Sequence, residues 1–105
     1  MKNIRLAGCL DKTISRVAVC SGAGGSLMQR FLESDAELFI SGDLRYHDAR
    51  TVEEAGKTLI DLGHFASERI IIDSLVEKIA AAGREAGWTL SVEPCRLEQD
   101  PFEMV

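Results

Sequence analysis

The sequence predicts an α/β domain, with a mostly parallel or mixed sheet of about five strands and helices on its faces. Strand-like and helix-like apolar patterns alternate along the 105 residues. The connections between them are short, as in β-α-β units with right-handed crossovers. The run "VAVC" is continuously apolar, as strands in the middle of a parallel sheet are. The length fits a single domain, residues 1–105.

Apolar alternation and apolar runs predict five strands, at residues 3–10, 14–20, 36–41, 58–63 and 88–96. Pro94 places the last strand near an edge of the sheet or at a bulge, because proline has no N–H to donate. Apolar residues at helical spacing predict helices at residues 27–34, 46–57 and 67–87. Gly87 is expected to end the longest helix.

The charge pattern argues against two classes of partner. The net charge is −5, with 12 basic and 17 acidic residues, and no basic run provides the electrostatic footprint of a nucleic-acid-binding protein. No run of about 18 apolar residues predicts a membrane span. The polar N-terminal segment is unlike a signal peptide. We therefore expect a cytoplasmic protein without nucleic-acid or membrane partners.

The three cysteines, Cys9, Cys20 and Cys95, are odd in number and widely spaced. This argues against a disulfide framework and against a zinc ribbon. Buried free thiols in a reducing compartment are the expectation. A domain of this size buries only about 60–65% of its unfolded surface, so we also expect it to gain stability by oligomerisation.

Three polar or glycine-rich segments follow predicted strands: "SGAGGS", "SGDLRYH" and "GHFASE". The carboxyl ends of parallel strands lie at one edge of a sheet, where ligands of α/β proteins bind. The three segments are therefore expected to face one another and to form a site.

The segment "SGAGGS" has two interpretations. Backbone N–H groups at the start of the following helix can hold an anion, which makes substrate-binding candidates of Ser21, Gly22, Gly24 and Ser26. Leu27 stands where a dinucleotide fingerprint has its third glycine, and the lysine of a P-loop is absent. The alternative is a tight turn in which Ser26 caps the helix.

The segment "SGDLRYH" places Asp43, Arg45, Tyr46 and His47 after a strand. These residue types occur in catalytic and substrate-binding sites. The alternatives are that Asp43 caps the next helix and that His47 is a partly buried histidine with satisfied hydrogen bonds.

In "GHFASE", His64 and Glu68 are four residues apart. If a helix begins at His64, their Cβ atoms lie roughly 6 Å apart on one face. An imidazole nitrogen and a carboxylate oxygen can then bind one divalent ion at about 2.0–2.2 Å, with further ligands supplied from elsewhere. The alternative is a capped helix start, with Glu68 in the first turn interacting favourably with the helix dipole.

Together, "RVAVCSGAGGSLM", "DAELFISGDLRYHDA" and "LIDLGHFASE", with "PF" near the end, resemble the carboxyl-terminal half of the GTP cyclohydrolase type 2-like, or Ngg-interacting-factor-three-like, proteins. The resemblance runs from Arg5 to Phe102. It implies a fold of two similar halves, with two divalent metals between them in each full-length subunit. It also implies ring-like hexamers.

By the same resemblance, His64 and Glu68 are metal ligands, and Glu68 bridges the two ions. Asp43 and His47 are catalytic candidates, and Tyr46 faces the substrate in the same cleft. The metals expected are zinc, manganese, iron or magnesium, and the expected substrate is a small nucleotide. The resemblance thus implies a metal-dependent hydrolase.

The sequence departs from the family in one important respect. The family's amino-terminal half, with its paired-histidine motif and an aspartate, has no counterpart here, because the only histidines are His47 and His64. An amino-terminal half is therefore an expected partner, together with further copies of the chain, and we expect the isolated chain to be inactive. The alternative function is a non-catalytic metal-binding, oligomerisation or protein-interaction module.

Overall fold

The computed structural model describes residues 3–105, so the first two residues of the predicted 1–105 domain lie outside the described part. Four strands form one sheet in the order β1-β4-β3-β2. The strands are β1 (Arg5–Gly8), β2 (Val17–Ala23), β3 (Leu38–Gly42) and β4 (Thr58–Asp61). Neighbouring strands β2, β3 and β4 run parallel, whereas β1 is antiparallel to β4. The predicted α/β class with a mixed sheet is confirmed.

Four helices connect or follow the strands: α1 (Met28–Glu33), α2 (Tyr46–Glu54), α3 (His64–Arg69) and α4 (Ile71–Glu85). The predicted helix 67–87 is in fact α3 and α4, separated only by Ile70, and it begins three residues earlier than predicted. The predicted stop at Gly87 is confirmed. Gly87 has φ +75°, and the N–H groups of Gly87 and Trp88 donate to the carbonyls of Arg84 and Gly83 at 3.1 and 2.9 Å, which closes the helix end.

The predicted fifth strand, 88–96, is wrong. Within residues 3–105 this segment pairs with no strand, because it runs back along α4 and does not reach the sheet. Leu90 packs so closely on Gly83 that an added Cβ would lie 2.8 Å from the leucine side chain. Further along, Arg96 donates to the Asp73 carboxylate at 2.8 Å. The alternation of "TLSVE" reflects contacts with a helix and not strand pairing.

The second strand lies three residues later than predicted, and the prediction that it is a middle strand is wrong, because β2 forms an edge of the sheet. Residues before it are held by the Glu37 carboxylate, which accepts from the N–H and hydroxyl of Ser15 at 3.0 and 2.7 Å and from the Arg16 N–H at 3.2 Å. These hydrogen bonds hold residues 15 and 16 against Glu37, outside the strand. The cysteines are free, but Cys9 and Cys95 are exposed and Cys20 is partly buried. The prediction of buried thiols is therefore wrong, because Cys9 follows the edge strand β1 and Cys95 lies in the segment along α4.

The hydrophobic core lies on one face of the sheet. Phe39 and Leu59, from the central strands, pack against Phe31 of α1 and Val52 of α2. The Phe31 and Phe39 rings stack with centroids 5.1 Å apart. Burial of such side chains contributes roughly 1.5–3 kcal/mol each relative to exposure, so this layer stabilises the crossovers that bring the strand ends together.

The other face of the sheet is largely open. A cross-strand row of aliphatic side chains runs through Leu6, Ile60, Ile40 and Val19. Val19 is 71% exposed and Leu6 51%. Gly83 is the only buried residue of α4, so this helix projects away from the sheet. The radius of gyration is accordingly 17.3 Å, compared with about 13 Å for a compact domain of this length.

We expect Phe39→Ala to lower the free energy of unfolding by about 3–5 kcal/mol, because it leaves a cavity in the core. The matched control is Val19→Ala on the open face, which should change the free energy by about 0.5 kcal/mol or less. Urea unfolding followed by circular dichroism measures both. Equal effects of the two substitutions would show that the open face is covered in solution.

Candidate metal centre

The carboxyl ends of the three parallel strands meet, as their order in the sequence predicts. Gly22 lies near the end of β2, Asp43 directly follows β3, and His64 begins α3 three residues after β4 ends at Asp61. Strand β2 extends through Ala23, so the first half of "SGAGGS" is strand and not loop. The site is therefore built where the crossover topology brings the three segments to one edge.

Helix α3 places both predicted ligands on one face. It begins at His64, after Gly63 with φ +86°, a backbone angle that favours glycine. His64 Nε2 is 3.2 Å from Glu68 Oε1. Both side chains are about half exposed, at 46% and 56%. The alternative reading of Glu68 is wrong, since it is the fifth residue of the helix and lies outside the first turn.

The other edge of the same imidazole faces Asp43. Asp43 Oδ2 is 2.7 Å from His64 Nδ1. Asp43 is the only non-glycine residue with positive φ in the described part of the chain, at φ +50°. It does not cap the next helix. That position belongs to Arg45, whose N–H donates to the Asp48 carboxylate at 2.8 Å.

The carboxylate of Asp61 organises the two loops that carry Asp43 and His64. Asp61 is 4% exposed. Its Oδ1 accepts from the Gly63 N–H at 2.8 Å, and its Oδ2 accepts from the Leu44 N–H at 3.1 Å. The Arg5 guanidinium completes the set by an ion pair with Oδ2. Asp61 was not among the predicted site residues, although an acidic residue in the apolar run "TLID" is a signal, because a buried charge needs partners.

Ser67 was also missed. It is buried in α3, and its hydroxyl accepts from the Gly22 N–H at 2.7 Å and donates to the His64 carbonyl at 2.8 Å. The hydroxyl therefore links the end of β2 to the first turn of α3. The only sequence signal was a small polar residue one position before Glu68, which is too common to identify a role.

Gly22 lies directly against the two predicted ligands, with no side chain of its own between it and them. A Cβ built on Gly22 would lie 2.6 Å from Glu68 Oε1 and 3.3 Å from His64 Nε2. Gly22 also has φ +71°. Two ligand atoms about 2.1 Å from one ion, at angles of about 90–110°, are roughly 3.0–3.4 Å apart. The observed separation of 3.2 Å and the glycine-lined space fit one divalent ion.

This pair is an incomplete set of ligands. Within residues 3–105, no group of three or more histidine, cysteine, aspartate or glutamate side chains is arranged to hold a metal ion. Asp43 does not add a third ligand, because it lies at Nδ1, on the other edge of the ring from Nε2. A site of this kind needs at least one or two more ligands, which other residues would have to supply.

The remaining predicted site residues lie outside this cluster. Ser21 is exposed and lines an adjoining cleft with Val19 and Phe65, which Glu68 also borders, and Gly24 is buried against Ser41. Ser26 lies in a 3-10 turn and does not cap α1, whose N-cap position is Leu27.

Tyr46 and His47 occupy the first turn of α2. The Tyr46 hydroxyl accepts from Arg50 Nε at 2.9 Å, and its ring meets His47 edge-on, with centroids 5.5 Å apart. Neither residue lines the cleft that contains Asp43, His64 and Glu68 in the described structure. Both residues are exposed. The structure therefore brings together Gly22, Asp43, His64 and Glu68, but not these two.

The pKa of His64 is raised above its ordinary value of 6.5, chiefly by the hydrogen bond to Asp43 and also by the charges of Glu68 and Asp43, while partial desolvation opposes the shift. The protonated ring is therefore favoured in the folded chain. The contribution of this pairing to stability is present below pH 6.5 and is lost as the pH rises through the raised pKa.

In the metal-free chain, we expect an NMR titration to give a His64 pKa above 6.5. Asp43→Asn should lower it, because the carboxylate charge is removed. Asp35→Asn is the matched control, since Asp35 is an exposed carboxylate paired with Arg16. A His64 pKa that is the same in all three proteins would contradict the contact between Asp43 and His64.

Sequence comparisons identify relatives along almost the whole chain. The sequence model of the family described as Duf34/NIF3 (NGG1p interacting factor 3) matches residues 1–101. A GTP cyclohydrolase 1 type 2 homolog of Campylobacter jejuni is 37% identical over 91 residues, which cover 87% of this chain and 36% of the relative. The homolog of Streptococcus pneumoniae is 31% identical over 96 residues, covering 91% and 36%. The chain thus spans about a third of the length of these relatives.

Solved structures share the fold. The crystal structure of Staphylococcus aureus protein SA1388 matches with a TM-score of 0.89 and 26% identity, over 99% of this chain and 30% of that one. Reduced HcgD from Methanocaldococcus jannaschii matches with a TM-score of 0.62 and 27% identity, over 76% and 33%. No helix in residues 3–105 is long and apolar enough to cross a membrane. The resemblance inferred from the three strand-end segments is confirmed, and the chain belongs to the Duf34/NIF3 family.

Proposed function

We propose that this chain binds a divalent metal ion through His64 and Glu68, as one part of a dinuclear metal centre. The observation that carries the proposal is the pair His64 Nε2 and Glu68 Oε1, 3.2 Å apart beside the space left by Gly22. An exposed ion pair alone contributes only about 0–1 kcal/mol.

The ligand atoms indicate which metals are suitable. A nitrogen and a carboxylate oxygen together suit zinc, iron or manganese, whereas magnesium prefers oxygen ligands alone. Other carboxylates line the cleft, including Glu98, Asp100 and Glu103, and their charge favours a cation over an anion. We therefore rank magnesium last among the four metals.

The proposed activity is hydrolysis, with a small nucleotide as substrate. Relatives named GTP cyclohydrolase 1 type 2 homolog support this class. When bound, the two metals supply an activated water and charge stabilisation. Glu68 would hold the ions, and His64 would bind one of them. For a role beside the metal, the geometry favours Asp43 over His47, because Asp43 contacts His64 and His47 contacts Tyr46.

The activity is proposed for an assembly and not for the chain alone. The chain spans about a third of its relatives and contributes only two ligands. Further ligands would come from an amino-terminal half of the family type or from further copies in a homo-oligomer. The aliphatic row on the open sheet face, with Val19 71% exposed, supports association. A non-catalytic metal-binding or oligomerisation module is the alternative, and the incomplete ligand set favours it for the isolated chain.

The primary test is metal content. After dialysis against Zn²⁺ or Mn²⁺, we expect wild-type protein to retain metal in elemental analysis. His64→Ala and Glu68→Gln should each lose most of it, because one of only two ligands is removed. Glu77→Gln, an exposed carboxylate of α4, is the matched control and should retain the wild-type content. Equal metal content in the wild type and in His64→Ala would contradict the proposal. Nucleotide turnover by the metal-loaded chain alone would contradict the expectation that the activity needs an assembly.

The space beside Gly22 gives a second test. We expect Gly22→Ala to lower the affinity for Zn²⁺ at least tenfold, because the new Cβ would occupy the space next to Glu68 Oε1. Gly56→Ala is a matched control: Gly56 has the same φ of +71°, but nothing lies within 4 Å of its Cβ position. Both substitutions introduce the same backbone strain, roughly 1–2 kcal/mol. Isothermal titration calorimetry that shows equal affinities would contradict the assigned position of the ion.

A further inference from the structure

We propose that Asp43 is a positioning residue, which fixes the His64 ring with its hydrogen on Nδ1 and its lone pair on Nε2, aimed at the gap beside Glu68 and Gly22. The inference rests on the proposed metal site and assigns Asp43 a role other than general base or direct ligand.

The first step is the chemistry of the two ring nitrogens. Asp43 Oδ2 lies 2.7 Å from Nδ1, and an ionised carboxylate only accepts hydrogen bonds. Nδ1 therefore carries the hydrogen. In the neutral ring the other nitrogen, Nε2, then has the lone pair. A carboxylate on the far nitrogen orients metal-bound histidines in many proteins and makes the ligand more basic.

His64 Nε2 faces the side chain of Glu68 and the backbone of Gly22. Its neighbours are Glu68 Oε1 at 3.2 Å and the space beside the Gly22 Cα. In the protonated ring Nε2 donates to Glu68 Oε1, whereas in the neutral ring its lone pair and the carboxylate oxygen repel each other until a metal ion takes the place of the proton. The tautomer that Asp43 imposes thus converts the helical pair into two convergent ligand atoms for a metal ion.

The backbone around Asp43 is itself held in place by its surroundings. Its φ of +50° is unusual for a residue with a side chain, and such angles occur at functional sites where the surroundings enforce them. The next N–H, of Leu44, donates to the buried Asp61 carboxylate, which also accepts the Gly63 N–H. One carboxylate therefore sets the spacing between the loop that carries Asp43 and the helix that begins at His64.

The test uses two variants and two measurements. Asp43→Gly removes the carboxylate and accepts a positive φ without strain, and Asp43→Asn keeps a side-chain oxygen that can accept from Nδ1. The ¹⁵N shifts of the His64 ring, recorded on metal-free protein above the His64 pKa, report the tautomer. The His47 ring, in contact with Tyr46, is the internal reference. Isothermal titration with Zn²⁺ reports the affinity.

We expect the wild-type His64 ring to carry its hydrogen on Nδ1. In Asp43→Gly the hydrogen should shift toward Nε2, and the Zn²⁺ affinity should fall about 10–100-fold. Asp43→Asn should keep the wild-type tautomer and recover part of the affinity. Unfolding curves confirm that each variant is folded.

An unchanged tautomer in folded Asp43→Gly would overturn the inference, as would unchanged Zn²⁺ affinity in the same protein. The tautomer is measured without metal. A wild-type chain that binds no Zn²⁺ would therefore overturn the proposed function, while the ring measurement would still decide whether Asp43 positions His64.

Discussion

The buried carboxylate of Asp61 is the interaction on which the geometry of the site depends. It ends the central strand β4 and is 4% exposed. A carboxylate in this position is costly unless it is paired and hydrogen-bonded. Its partners are the Leu44 N–H, the Gly63 N–H and the Arg5 guanidinium. These groups come from the loop after β3, the loop after β4 and the edge strand β1, so satisfying one charge fixes three segments relative to one another.

The other contacts of the site follow one another outward from the Asp61 carboxylate. Asp61 accepts from the backbone of the loops that carry Asp43 and His64, these two side chains contact each other, and Glu68 follows one helical turn after His64. Ser67 connects the same turn to Gly22 at the end of β2. Regular elements and buried polar contacts therefore support side chains that are themselves half exposed. Supporting contacts of this kind are needed to hold ligand atoms in position before an ion binds.

The two faces of the sheet differ in a way that bears on assembly. One face is closed by α1 and α2 over Phe39, Leu59 and Val52, and the other leaves Leu6 and Val19 more than half exposed. Parallel sheets are normally covered on both faces. This chain, which spans about a third of the length of its relatives, combines an open sheet face, a projecting helix α4 and a site with only two ligands.

The sequence by itself determined the class of fold and the convergence of three strand-end segments, because apolar periodicity is local and the carboxyl ends of parallel strands meet at one edge. The resemblance of its motifs identified the family. It also placed His64 and Glu68 on one helical face by their spacing. Only the tertiary structure decided that Asp61 and Ser67 support the site, that Asp43 faces His64, and that residues 88–96 lie along α4 and not in the sheet. Those outcomes depend on contacts between residues far apart in the chain, such as Arg5 with Asp61 and Gly22 with Ser67. No periodicity encodes such contacts, because they form only when the crossovers bring the strand ends together.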